Sequence, residues 1–265
     1  MVELIVVTVL GALVLMAALT VLITNQRTYS AQSAVITGQQ STRMAMDVLF
    51  NELREVSPGG GDILAMSSDS IRLRLMRKFS IVCENWNGGG QPRFLVENAI
   101  MGPSTRFAAN DSVFVFADNQ VNNDNDDRWV AAMITDADTT QICLSNGARA
   151  SQVTFNGQRP LFNTDSVGLG APVRSYQRFT FALTTFNGSP FLGRRDPSGT
   201  MVPIAGPLRA GTGLEFVYRD SLGVVTNVPA NVRQIVVRVR SGSGVLNSLG
   251  RPVSDSLLAW VYTRN

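Results

Sequence analysis

The sequence predicts an α+β fold, in which a long N-terminal helical spine precedes a mainly antiparallel β domain. Residues 1–56 contain no proline and only two glycines, so an uninterrupted helix can form there. The run Pro58-Gly59-Gly60-Gly61 then ends any helix. From Asp62 onward apolar and polar residues alternate, which is the period of half-buried strands. We therefore predict a transmembrane or filament-core helix over 1–24, its amphipathic continuation over 25–57 and a β-rich domain over 62–265.

The first 24 residues are long and apolar enough to cross a membrane. No charged side chain lies between Glu3 and Arg27, and about 20 residues at about 1.5 Å of rise span a hydrocarbon core of about 30 Å. A secretory signal peptide and a plain single-pass anchor remain as alternatives, although a signal peptide needs a basic start and a shorter apolar core. Glu3 is unusual, because a carboxylate within an apolar run needs a partner. An N-terminal ammonium is the nearest suitable group.

The second part of the predicted helix carries an apolar stripe. Ala45, Leu49, Leu53 and Val56 follow one another at helical spacing, and Met46 and Phe50 widen the stripe. A continuous helix of about 55 residues would be about 80 Å long. Such a helix, inserted in a membrane at one end and amphipathic at the other, would form a spine.

Alternating patterns and turn residues indicate the strands of this domain. Ile71, Leu73 and Leu75 alternate with Arg72, Arg74 and Met76. Strands are predicted at 71–76, 112–116, 129–134, 141–144, 174–186, 190–194, 214–218, 232–240 and 257–262. Turns are predicted at Asn187-Gly188, at Asp196-Pro197-Ser198-Gly199 and at Asp220-Ser221-Leu222-Gly223.

Both ends of the chain resemble a known family. Met1-Val2-Glu3-Leu4-Ile5-Val6-Val7 resembles the mature N-terminus of type IV pilins and type II secretion pseudopilins, which begins roughly FTLIELLVV. The helix exit MDVLFNELREVSPGGG is similar to that of minor pilins. Towards the C-terminus the chain resembles PilW-type minor pilins and the minor pseudopilin J of type II secretion. The motifs that carry this second resemblance are Leu192-Gly193-Arg194, the hairpin Phe216–Gly223 and the strand Val232–Val237.

The resemblance implies a non-enzymatic subunit that initiates, caps or decorates a type IV pilus-like filament. Its implied partners are other pilin or pseudopilin subunits, an inner-membrane assembly platform and a prepilin peptidase. Before assembly the chain would be a single-pass inner-membrane protein with a periplasmic domain, and afterwards part of a periplasmic or extracellular filament. Two residues and a basic leader would precede Met1, and the processed N-terminus would be methylated. Glu3 would neutralise the N-terminal ammonium of a neighbouring subunit.

Gly11 lies within the apolar run and has two interpretations. It would either weaken the helix locally during extraction from the membrane or provide a small-residue packing site.

Cys83 and Cys143, the two cysteines of the chain, are candidates for a disulfide if the domain lies outside the cytoplasm. Such a bond would stabilise the fold by about 4 kcal/mol in the chain-entropy model. Two buried free thiols are the alternative. Zinc is not expected, because two cysteines without histidine do not complete a four-ligand site.

Catalytic motifs are missing from the sequence. The chain has no histidine, so it contains no Ser-His or Cys-His nucleophile pair, and it has neither a G-x-S-x-G elbow nor a P-loop. We therefore predict that the protein is not an enzyme and needs no cofactor, with calcium as the one candidate ion.

The calcium candidate is the acidic loop. Asn122, Asp124 and Asp126 alternate as calcium ligands do, with Asp118 and Asp127 nearby. The glycine and the closing glutamate of an EF-hand loop are missing. A solvated hairpin loop without metal is the alternative.

Arginines at a spacing of two give a further candidate site. Arg72 and Arg74, and likewise Arg238 and Arg240, would project from one face of a strand. Such a stripe binds phosphate in nucleic-acid-binding proteins, but no aromatic cluster interleaves with these arginines and the net charge is only +3. The alternative is an ordinary solvent face. The corresponding alternative function is a membrane-tethered extracytoplasmic receptor or adhesin that binds DNA, glycan or a surface.

Overall fold

The fold combines one long helix with a mainly antiparallel β domain, as predicted. The computed structural model describes residues 2–86, 93–98, 106–118, 127–155, 167–247 and 250–264. Helix α1 spans Val2–Arg54, and a short 3₁₀ helix spans Pro229–Asn231. The strands are β1 Ile63–Met66, β2 Ser70–Trp86, β3 Arg93–Glu97, β4 Ser112–Ala117, β5 Arg128–Ile142, β6 Arg149–Phe155, β7 Pro172–Phe186, β8 Ser189–Arg195, β9 Met201–Ala205, β10 Leu214–Arg219, β11 Gln234–Arg240 and β12 Ser256–Tyr262.

Helix α1 is uninterrupted over 53 residues, and the predicted apolar stripe is its buried side. Ala45, Leu49 and Leu53 are fully buried, as is Val56 just beyond the helix. A turn follows at once, in which the N–H of Gly61 donates to the carbonyl of Pro58 (3.0 Å). The predicted helix breaker therefore acts within a few residues of the expected position.

The described chain divides into two compact units. The first comprises Met1–Arg54, Ala65–Ile71 and Thr180–Asn265, and the second comprises Glu55–Leu64 and Arg72–Phe179. Strands β2 and β7 contain residues of both units, because the boundaries fall within them.

In the first unit, α1 packs against β9, β11 and β12. Strands β10, β11 and β12 form an antiparallel sheet in which Val236 pairs with Val217 on one side and Trp260 on the other. The alternate residues of these strands point to a buried inner face, which includes Phe216, Ile235, Val237, Val239 and Val261. The C-terminal part of β7 pairs with β8, and β8 pairs with β9.

In the second unit, six strands form a closed ring. They pair in the order β2, β3, β6, β5, β4, β7, and β2 also pairs with β7. One apolar core collects side chains from all six strands, and its largest members include Phe94, Phe107 and Phe155. Closure removes the two free edges that an open sheet would leave in this unit.

Some strands differ from the prediction. The strand predicted at 129–134 and the first half of the strand predicted at 141–144 belong to one strand, β5, which ends at Ile142. Its pairing with β6 is irregular at Ile134/Asp136 and at Asp138/Gln141. Residues 135–140, between the two predicted strands, are mostly polar but include no glycine or proline, and the chain accommodates them within β5 as bulges. Strands β1, β3, β6 and β9 were not predicted. The turns at Asn187-Gly188, Gly199 and Gly223 are confirmed, with positive φ at each of these residues.

Candidate functional site

The N-terminal part of α1 exposes a continuous apolar surface. Among the described residues, α1 is the one helix whose length and apolar composition suit a membrane crossing, and none of its apolar window is buried. These features fit a single-pass anchor, and a signal sequence near the N-terminus fits the same criteria. The exposed apolar side chains of this segment include Val2, Leu4, Ile5, Val6, Val7, Val9, Leu10, Leu13, Val14, Leu15, Met16, Leu19, Val21, Leu22 and Ile23.

The two predicted residues of this segment lie on exposed helix. Glu3 occupies the first turn of α1, where the helix dipole favours a carboxylate. A Cβ placed on Gly11 would have no atom within 4 Å. Both interpretations of Gly11 therefore remain, since nothing inside this unit requires a glycine at that position.

The polar middle of α1 is attached to the sheet by a small network that sequence reasoning missed. Thr42 Oγ1 donates to Asp255 Oδ2 (3.0 Å), and the Asp255 N–H donates to Ser241 Oγ (3.1 Å). A Cβ on Gly38 would lie 2.7 Å from Ser241 Oγ, so glycine is what allows helix and loop to approach there. The one signal in the sequence is that Gly38 interrupts an otherwise glycine-free second half of the helix.

Beside this contact lies an open cleft of about 330 Å³. Its walls are residues 29–38 of the helix and the loop that follows β11. The lining side chains are mostly small, and they include Ser30, Ser33, Ala34, Ser241 and Ser243. Small side chains permit close approach of another backbone.

The predicted disulfide is present. Cys83 of β2 and Cys143, immediately after β5, are bonded with a Cα–Cα distance of 5.9 Å. Both sulfurs belong to buried residues that pack with Leu95 and Ala150. The bond closes a loop across 60 residues and joins two strands that are not neighbours in the ring.

The two arginines of the first predicted pair, Arg72 and Arg74, have different environments in the structure. Arg72 is exposed, whereas Arg74 donates from Nη1 to the carbonyl of Gly61 (3.1 Å). The Arg74 guanidinium also lies over the rings of Phe114 and Tyr176, 5.3 and 5.4 Å from their centroids. Arg74 is therefore occupied by contacts inside its own unit.

The second predicted pair, Arg238 and Arg240, shares one carboxylate. Arg238 Nη1 and Arg240 Nη2 donate to Glu215 Oε2 at 3.1 and 2.7 Å. The hydrogen bond from Arg240 is the main reason that the pKa of Glu215 lies below its ordinary value, with a smaller contribution from Arg238. Part of the positive charge on this face is thus neutralised by the protein itself.

A buried carboxylate stabilises the turn after α1. Asp62 accepts a hydrogen bond from the backbone N–H of Ser57 (3.0 Å) and lies 3.6 Å from Arg174 Nη2. Burial raises the pKa of Asp62 above its ordinary value, and Arg174 partly offsets that rise.

The predicted metal ligands Asn122, Asp124 and Asp126 lie outside the described residues. Within the described ranges, no group of three or more His, Cys, Asp or Glu side chains is arranged to hold a metal ion.

Comparisons of the chain with models of protein families, with curated proteins and with solved structures find no match. The pilin resemblance therefore depends on the residues quoted above.

Proposed function

We propose that this chain is a non-enzymatic minor pilin or pseudopilin that initiates, caps or decorates a type IV pilus-like filament. The observation that carries the proposal is the division of α1 into two parts. Its C-terminal part is packed against the sheet of its own unit, whereas its apolar N-terminal part has no protein cover. A helix of that composition is stable only in lipid or among other apolar helices.

In the proposed mechanism, the apolar part of α1 moves from the membrane into a filament. In the membrane, the apolar part of α1 is solvated by lipid tails. In a filament, the same side chains pack against the apolar helices of neighbouring subunits, so that subunit contacts replace lipid contacts. The second unit travels with the helix as a preformed body, because its ring is closed and crosslinked by Cys83–Cys143.

Glu3 would govern the register of each added subunit. Its carboxylate pairs with the N-terminal ammonium of the adjacent subunit, and the pairing is strengthened by the low dielectric of an apolar bundle. An unpaired carboxylate in that environment is strongly unfavourable. Subunits out of register would therefore be rejected.

The disulfide supports the proposed location. Structural disulfides persist in oxidising compartments such as the periplasm and are rare in the cytosol. With α1 in the inner membrane, the β domain would lie on the periplasmic side before assembly.

The test is Glu3→Gln, which removes the charge and keeps the shape, in cells that make the filament. Glu55→Gln is the matched control, because it changes an exposed carboxylate just beyond the helix. We expect Glu3→Gln to reach the membrane with its disulfide formed but to be at least about tenfold depleted in sheared filaments, since removing one partner of a buried pair costs about 3–5 kcal/mol. Equal incorporation of both variants would contradict the proposed role of Glu3. Wild-type protein that is found in the membrane but not in sheared filaments would contradict the proposal that the chain is a filament subunit.

A further inference from the structure

The last strand, β12, is an edge strand whose outer side has no partner. It pairs with β11 on one side, and in the described part of the chain no other segment pairs with it. We propose that this edge receives an extended segment of a partner protein by β-strand addition. The partner segment would have apolar side chains at alternate positions and a carboxylate at one end. This inference does not depend on filament assembly.

The hydrogen-bond pattern shows which backbone groups are available. The N–H of Ser241 donates to the carbonyl of Asp255 (2.9 Å), and the N–H of Thr263 donates to the carbonyl of Arg233 (3.1 Å). Residues of an antiparallel strand direct their N–H and C=O alternately to the two sides. The odd-numbered residues of β12 therefore face β11. The N–H and C=O groups of Leu258, Trp260 and Tyr262 face the open side.

The same three residues expose their side chains. Leu258, Trp260 and Tyr262 are 39%, 53% and 71% exposed and lie on the outer face of the sheet. Val217 and Val236 extend this apolar surface across the neighbouring strands in register with Trp260. An added strand would thus gain main-chain hydrogen bonds and contact with aromatic side chains, which are the two components of recognition by strand addition.

The edges formed by β10 and β9 differ from that of β12. On the free side of β10, the Phe216 N–H donates to the carbonyl of Ser68 (2.8 Å), and the carbonyl of Tyr218 accepts from Thr226 (3.0 Å). Strand β9 is short and contains Pro203, which cannot donate. In contrast, the sequence SLLAWVY of β12 has neither a proline nor a charge. Soluble proteins rarely leave such an edge uncovered.

The charge around the edge indicates an acidic partner. Arg264 is exposed two residues beyond Tyr262, at the end of the open edge. The acidic residue of the outer face, Glu215, is already bound by two arginines at the other end of the sheet. A carboxylate on the added strand, at the end next to Tyr262, would complement Arg264.

The experiment uses the full chain in detergent micelles and two fluorescent peptides of about nine residues, a length that matches a strand. Each peptide alternates valine and threonine and carries aspartate at one end, the N-terminal end in one and the C-terminal end in the other. Anisotropy should show saturable binding of at least one peptide. Methylation of alternate backbone nitrogens on the peptide, which removes hydrogen-bond donors and keeps the side chains, should weaken that binding at least about tenfold.

Two variants locate the binding on the chain. Leu258→Pro removes an outward N–H without touching the pairs to β11, and Leu258→Ala is its control for side-chain loss. Leu258→Pro should bind the peptide at least about fivefold more weakly than Leu258→Ala does, because it loses one hydrogen bond to the peptide and its ring obstructs the edge. Should Leu258→Pro fail to fold, Trp260→Lys tests the same edge against Leu222→Lys, a substitution at an 85% exposed loop position.

Three results would overturn the inference. Failure of both peptides to bind would show that the edge is not a recognition site. Equal binding of the methylated peptides would show that side chains alone are recognised. Self-association of the wild-type chain that Trp260→Lys abolishes would assign the edge to a second copy instead of an acidic partner segment.

Discussion

Gly38 gives the most specific prediction about how the helix is held on the sheet. The Cβ of Gly38→Ala would lie 2.7 Å from Ser241 Oγ but 3.5 Å from Ser241 Cβ, which is an ordinary contact. Alanine should gain about 1 kcal/mol from helix propensity. Relief of the clash would displace Ser241 and its hydrogen bond from Asp255, a local overpacking that costs about 2 kcal/mol. We therefore expect a net destabilisation of about 1 kcal/mol.

The sign should reverse when the clashing oxygen is removed. In a Ser241→Ala background, the same Gly38→Ala change should stabilise by up to about 1 kcal/mol, since only the propensity gain remains. The double-mutant cycle thus predicts a coupling energy of about 2 kcal/mol between the two positions. Urea titrations of the four proteins in micelles, read by pulse proteolysis, would measure it. Additive effects would refute the close approach of helix and loop.

Three further predictions concern the β domain. Replacing both Cys83 and Cys143 by alanine should lower the free energy of unfolding of the second unit by about 4 kcal/mol, because the disulfide closes a loop across 60 residues. Urea titration measures this loss, and a loss below about 1 kcal/mol would contradict the stabilising role of the disulfide. For Asp62, the folded-state pKa is raised above 3.8, so its contribution to stability is present below that pH and is lost as pH rises through the raised pKa. The difference in free energy of unfolding between wild type and Asp62→Asn should therefore fall as pH rises from about 4. A difference that rises with pH would show that the pKa of Asp62 is not raised in the folded protein. Finally, Tyr218→Phe removes a hydroxyl whose single O–H lies within hydrogen-bond distance of two backbone carbonyls (3.0 and 3.2 Å), and it should lower the free energy of unfolding by about 1 kcal/mol. In the same thermal-unfolding experiment, Tyr262→Phe, a change on the exposed outer face, should be neutral.

The sequence predicted those features that depend on local pattern. The helix follows from an unbroken run without proline, and its buried stripe follows from the spacing of Ala45, Leu49 and Leu53. Alternation predicted β2, β4, β10, β11 and β12, and glycine-containing turns marked the hairpins. Prediction of the disulfide required only the presence of two cysteines and the hypothesis that the domain lies outside the cytoplasm.

Features that depend on long-range pairing were not predicted. Closure of the ring depends on pairing between β2 and β7, which are about 100 residues apart, and no local pattern encodes that register. The Thr42–Asp255 contact joins positions 213 residues apart. Arg74 and Arg238 were predicted as candidate ligand contacts from their spacing along the strands. The structure adds contacts that the spacing does not reveal, with Gly61, two aromatic rings and Glu215. Such partners can be identified only once the strands are assembled.

The open edge of β12 illustrates the same limit. The run SLLAWVY predicts a strand at the C-terminus, yet its position at the edge of the sheet depends on the pairing order of three strands. Only that order reveals that Leu258, Trp260 and Tyr262 present unpaired backbone groups together with exposed side chains.

The filament hypothesis is tested most directly by mass spectrometry of the N-terminal peptide of the protein from its native cells. If the chain is a filament subunit, the mature protein should start two residues before Met1, with a basic leader removed and the first residue N-methylated. That result would show that the chain is processed as a prepilin and carries the N-terminal amine that Glu3 is proposed to neutralise. A chain that carries an unprocessed leader, or one that starts at Met1 without methylation, would contradict the filament hypothesis and favour a membrane-anchored β domain.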